Sequence, residues 1–269
     1  AVIAAVLAAV LSGGASGGSA DDATLVWLTR AGGTSPDHVS GVAVLSDNST
    51  VMTGYFSGTA TFGSGEANQT QLVSAGWGDV FVARYNPDGS LAWARRAGGA
   101  SWSDEGNAIT VLADNSVVVM GTFSETATFG PGEANETRLV STGSRDVFVA
   151  RYKPDGSLAW ARRAGGADWG DRSTSITALA DSSVVVTGVF RGTATFGSGE
   201  ANQTQLVSAG GNDIFVARYN ANGSLAWARR AGGADWCEFS NAITAFADNS
   251  IVVTGTFSET ATFGSGEVN

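Results

Sequence analysis

The stretch Asp79–Gly99, DVFVARYNPDGSLAWARRAGG, decides the fold because the chain contains it three times. It returns as DVFVARYKPDGSLAWARRAGG from Asp146 and as DIFVARYNANGSLAWARRAGG from Asp213, so Trp93, Trp160 and Trp227 stand 67 residues apart. Gly54, Gly121, Gly188 and Gly255 keep the same spacing, as do Phe62, Phe129, Phe196 and Phe263. Trp27, in LVWLTRAGG, precedes Trp93 by 66 residues. Each copy of the stretch is a run of Val, Phe and Tyr, then a turn, then a second apolar run ending on paired arginines. In Pro154-Asp155-Gly156 the turn has a physical cause: Pro presets φ and Gly accepts a positive φ.

Working outward, Ala108–Ala113 (AITVLA) and Val117–Phe123 (VVVMGTF), separated by Asp114-Asn115-Ser116, read as two more strands. No window carries a helical period. The unit is therefore four short antiparallel strands, with a long insert between the second and third. Such a unit cannot bury both faces alone, and stacking around an axis solves this, so the sequence predicts an all-β protein, a β-propeller of four-stranded blades. The innermost strands should crowd the channel, and Trp93 and its equivalents should wedge between blades.

The phase of the repeat sets the expected divisions. Residues 1–23 read as a signal-peptide-like segment and linker, and 24–38 as the outer strand of a closing blade plus loop. Blades 1, 2 and 3 follow at 39–106, 107–173 and 174–240, and 241–269 is a partial fourth. The expectation is an incomplete propeller of about three and a half to four blades; a self-contained four-bladed ring with one defective blade is the alternative.

Composition narrows the function classes. The formal net charge of −10 leaves no basic stripe to neutralise phosphates, which argues against nucleic acid. A single Cys237 excludes an intrachain disulfide, and a lone His38 excludes zinc sites built from several His or Cys ligands. Calcium, which needs only oxygen ligands, is the one cofactor left open. The apolar run Ala1–Leu11 (AVIAAVLAAVL) is too short to span a bilayer and fits the central region of a signal peptide, although no initiator Met or basic flank precedes it. Export to the medium or the cell surface is the expectation.

The elements DVFVARYNPDGSLAWARRAGG (Asp79–Gly99) and NAITVLADNSVVVMGTFSETATFG (Asn107–Gly130) resemble the SBBP family of bacterial β-propeller repeats, and the likeness extends over nearly everything from Leu25 onward. The resemblance implies a propeller in an exported or surface protein of bacteria. It implies no catalytic residues.

Function is then sought on the long connections, since binding residues tend to sit on the elaborated loops of a rigid scaffold. Trp102, Trp169 and Trp236 recur in the inter-blade loop, each followed two residues later by Asp104, Asp171 or Glu238. Aromatics beside carboxylates can stack on sugars or present oxygens to calcium; equally, each Trp can plug its neighbour and each acid can cap a turn. Asp79, Asp146 and Asp213 are expected to hydrogen-bond loop backbone, Glu66, Glu133, Glu200 and Glu267 to be solvated, and the arginine pairs to guard an outer edge. Near-identical blades supply the same residue in a ring, whereas an enzyme site needs unlike residues in distinct roles. The expected function is a non-catalytic surface module for a protein or glycan. A structural spacer is the alternative, and a lyase or hydrolase would need residues this chain does not show.

Overall fold

Every regular element is a strand in the computed structural model, which describes residues 11–12, 24–168, 170–234 and 238–263. Of the signal-like segment only Leu11–Ser12 falls among these, paired antiparallel with Thr24–Leu25; the rest lies outside the described residues. In the first blade the inner strand Asp37–Val44 pairs with Thr50–Phe56, which pairs with Asp79–Tyr85, which pairs with the outer strand Leu91–Gly98. The second blade repeats this order with Glu105–Val111, Val117–Phe123, Asp146–Tyr152 and Leu158–Gly166. The third uses Arg172–Ala178, Val184–Phe196, Thr204–Tyr219 and Leu225–Gly232. Phe239–Ala245 and Ile251–Thr256 form a two-stranded sheet in the fourth. The described residues thus form an arc of antiparallel propeller blades.

The strand patterns explain the layers. Val117–Phe123 is buried at every position, which is why it reads as an unbroken apolar run. The inner strands are only partly buried and lie beside one another around the axis. Each carries a bulge at the same place, as between Gly106 and Ala108 or Ser173 and Ser175.

Blades are fastened by the repeated tryptophan. Trp93 is buried, and its indole N–H donates to the Pro154 carbonyl of the next blade at 3.0 Å. Trp160 does the same to Ala221 at 3.0 Å. Gly156 serves the turn and this junction at once: its φ is +81°, and a Cβ there would stand 2.7 Å from the Trp93 ring.

The long insert adds to the four-stranded blade. It is a hairpin, Thr126–Phe129 with Thr137–Val140, whose first strand pairs with the outer strand of the preceding blade through Thr128–Gly98 and Phe129–Ala97. The first blade's sheet is consequently six strands wide. The hairpin covers the end of what would be an exposed edge, and Phe129 reaches back to its own blade to pack on Phe148 at 4.8 Å. The arginine pairs stand just before the residues the hairpin covers, and the second of each pair is tied to a buried acid. Arg96 pairs with the buried Asp79, and Arg163 and Arg230 do so with Asp146 and Asp213 at 2.6 and 2.7 Å.

Candidate functional site

The acids of the inter-blade loops point inward. Asp104 is 1 % exposed; its carboxylate accepts the Gly99 N–H at 2.8 Å and the Ser124 N–H at 3.0 Å. It therefore ties the end of one outer strand to the start of the next hairpin. Asp171 is buried and accepts the Gly166 N–H at 2.9 Å, and Glu238 is buried at the third junction. Burial pushes the acids of Asp104 and Asp171 up to about 7, against the pull of these amide donors; the neighbouring Asp79 and Asp146 carboxylates add to the rise. A fourth member, Asp37, accepts the Gly33 N–H at 2.8 Å. Its loop is one residue shorter than the others, which hid the correspondence in the sequence.

Trp102 points the other way, with 63 % of its surface exposed. The structure thus separates Trp102 from Asp104, two residues apart in sequence, to opposite sides of the loop. Trp169 and Trp236 lie outside the described residues, as does Glu267. The partner of Trp102 is Trp77, itself 72 % exposed, with ring centroids 5.3 Å apart and planes at 34°. The Trp77 N–H donates to the Ser101 carbonyl at 3.1 Å and the Asp104 N–H to the Gly78 carbonyl at 2.9 Å, so the turn before the third strand is bound to the inter-blade loop. Trp77 breaks the repeat, its counterparts being Ser144 and Gly211, and that variation between long loops is what a binding face predicts. Its pairing with Trp102 is visible only in the fold.

Charged groups rim the aromatic pair. The Ser101 hydroxyl donates to Glu125 at 2.5 Å, and Glu125 adopts a φ of +53°. Arg145 donates to the Ser103 carbonyl at 3.2 Å and approaches Glu105 at 3.5 Å. Two adjoining indole faces with a carboxylate and a guanidinium nearby can stack on an apolar ring face while bonding hydroxyls at its edge. Among the described residues, no group of three or more His, Cys, Asp or Glu side chains is placed to hold a metal.

Three of the acids expected to be solvated are only half-buried and also bond the backbone. Glu66, Glu133 and Glu200 accept the N–H of Leu91, Leu158 and Leu225 at 2.5, 2.5 and 2.6 Å, capping the start of each outer strand. Asp79, Asp146 and Asp213 accept loop amides from Ala75, Thr142 and Ala209 at 3.1 Å each.

Repeat, blade order and junction together define a β-propeller repeat protein. In line with this, the family described as "Domain of unknown function (DUF5122) beta-propeller" matches residues 198–225. The chain is also similar to the uncharacterized WD repeat-containing protein L264 of Acanthamoeba polyphaga mimivirus, at 26 % identity over 209 residues. That alignment covers 67 % of this chain and 14 % of the viral protein, so the chain spans only a small part of its relative's length. Both findings support a β-propeller repeat class without singling out SBBP repeats. No helix among the described residues is long and apolar enough to cross a membrane.

Proposed function

We propose that this propeller is an exported, non-catalytic binding module that engages a glycan on its loop face through Trp77 and Trp102. The exposed aromatic pair is the observation that carries the reading. Two large indoles held together in solvent leave apolar area unburied, and such a patch on a rigid scaffold marks an interaction site. Sugar rings present the apolar face and hydroxyl edge that the pair and the neighbouring Glu125 and Arg145 suit. The buried Asp104, Asp171 and Glu238 act as clasps of the scaffold in this reading and not as ligands.

Titrating cellohexaose, chitohexaose and a mannan hexasaccharide against indole fluorescence tests it. Saturable quenching by one of them, abolished in a W77A/W102A double variant with an unchanged melting midpoint, is the expected result. Absence of any response, or a response that survives in the double variant, overturns it. Export rests on the Ala1–Leu11 pattern and is checked by fusing residues 1–23 to a secretion reporter.

A second reading, a spacer that recognises nothing, draws on one observation. The aromatic pair is built at one junction, while the clasp and the wedge recur. In that case neither the parent nor the double variant would respond to any of the oligosaccharides.

A further inference from the structure

A groove of about 250 Å³ opens beside the outer strand of the second blade, wholly inside the second and third units. One wall is the hairpin strand Thr137–Val140, which contributes Arg138. The other is the outer strand Leu158–Gly166, which contributes Arg162 and Arg163. Ser198 and Glu200, in the turn of the next unit's hairpin, close its end. Arg162 and Arg163 belong to the repeating scaffold, but Arg138 does not: Gln71 and Gln205 hold its place in the first and third units.

The hydrogen bonds show which of these charges are already matched. Arg163 donates to the buried Asp146 at 2.6 Å and to the Thr142 hydroxyl at 2.8 Å. Arg162 lies over the Trp160 ring, stands 3.5 Å from Glu200 and donates to its own Ala161 carbonyl at 3.0 Å. Its counterpart Arg95 is more fully engaged, since it donates to the Gly156 and Asp155 carbonyls of the next turn at 3.0 and 3.2 Å. Arg138 is exposed and makes no hydrogen bond or ion pair among the described residues. Glu136, just before its strand, accepts the Gly132 N–H at 2.7 Å and does not line the groove. Three guanidiniums thus stand against two carboxylates, Glu200 and Asp146, in a chain whose formal net charge is −10. One charge on an edge strand is enough to discourage pairing. Three guanidiniums converging from two strands exceed that need.

We propose that this groove binds an oxyanion substituent, sulfate or carboxylate, of an anionic polysaccharide. Both groups present paired oxygens that match the planar N–H fork of an arginine, and such charge-assisted bonds are the strong ones. Arg138 supplies the fork from the hairpin wall, Arg162 donates from the outer strand, and the exposed Ser198 hydroxyl adds a neutral donor at the end. Because Arg138 stands in solvent, salt screens the attraction. The choice of a sugar as carrier rests on the glycan reading of the aromatic pair, whereas the demand for an oxyanion rests on the guanidiniums alone.

Isothermal titration of the full chain with a chondroitin sulfate hexasaccharide, a galacturonate hexasaccharide and inorganic sulfate tests it. At least one hexasaccharide should bind saturably, and more weakly as salt is raised. Binding of the galacturonate assigns the groove to carboxylate; binding of the chondroitin sulfate without it assigns the groove to sulfate. R138Q installs the residue that the repeat itself uses at this position, so its melting midpoint should match the parent's while affinity falls by about ten-fold or more. Quenching by neutral oligosaccharides reports the aromatic pair and R138Q reports the groove, so either reading can fail without the other. No saturable binding of either hexasaccharide, or an R138Q chain that binds as tightly as the parent, overturns the proposal. So does binding of inorganic sulfate alone, since the groove then takes a free ion and not a sugar.

Discussion

The two faces of the propeller treat repetition differently. On the short-turn face each unit makes the same bonds. Arg84 reaches Asp47 at 2.5 Å and the Ser49 hydroxyl at 3.0 Å, and donates to Pro154 of the next blade at 3.1 Å. Arg151 does likewise with Asp114, Ser116 and Ala221, and Arg218 with Asp181 and Ser183. The Ser49 and Ser183 hydroxyls hold Asp47 and Asp181 below the usual carboxylate range. On the loop face the equivalents of Trp77 are Ser144 and Gly211, and position 125 alternates, with Gly58 and Gly192 in the first and third units and Glu125 and Glu259 in the second and fourth. Packing demands sameness wherever one blade fastens to the next. Departures from the repeat fall where no such demand operates, and there recognition can be built.

The sharpest break of this contrast sets a buried tryptophan against an exposed one. Trp160→Ala removes the wedge, its hydrogen bond to Ala221 and the filling above the next turn. A loss of about 3–5 kcal/mol is expected, read as a fall in the urea midpoint. Trp102→Ala should stay within about 0.5 kcal/mol of the parent. Equal effects of the two would erase the distinction between scaffold and binding face.

The acids beneath the loop face give the next largest effect, through pH. The folded-state values of Asp104 and Asp171, about 7, lie above the ordinary 3.8. Below about pH 4 both states are protonated. As pH rises, the unfolded chain releases its protons first, so these two groups lower stability between about pH 4 and about pH 7, with no further change above. The stability of a D104N/D171N double variant relative to the parent should therefore improve across that window, by an order of a few kcal/mol. A pH-independent difference would mean the two acids are ionised in the folded state across the whole window.

The blades were legible in the sequence because a 67-residue recurrence of Val-rich runs and Pro-Asp-Gly turns admits few architectures. The hairpin was not. Thr126–Phe129 is four residues long and flanked by Gly130 and Gly132, so locally it reads as loop, and only the uncovered edge of Leu91–Gly98 makes it a strand. The backbone bonds of the glutamates were hidden for a similar reason. Glu66 sits among glycines, and its amide partner Leu91 is 25 residues away, brought near by the fold. For Asp104 the sequence left ligand and cap both open, with the cap the more ordinary role, because a short acid two residues after a Trp is compatible with either side of the loop.

A single turn-face acid should matter less than a wedge. Asp114→Ala removes the acceptor for the Ser116 amide and hydroxyl and the partner of Arg151. Turn and cap chemistry of this kind is worth about 1 kcal/mol. Asp47→Ala and Asp181→Ala should match it closely, because their surroundings are the same. A spread well beyond the error of denaturant melts would show that the turn face is less uniform than its hydrogen bonds.

The smallest effect should have the opposite sign. Glu125 holds a φ of +53° where Gly58 and Gly192 sit at +65°. A non-glycine residue there costs about 1 kcal/mol, while glycine adds freedom to the unfolded chain and would lose the Ser101 bond. E125G should therefore be neutral to slightly stabilising, by up to about 1 kcal/mol. If it stabilises while oligosaccharide quenching of Trp77 and Trp102 weakens, the strained backbone is kept for what the carboxylate does at the binding face. If E125G destabilises instead, the Ser101–Glu125 bond belongs to the scaffold, and the carboxylate has no separate role at the binding face.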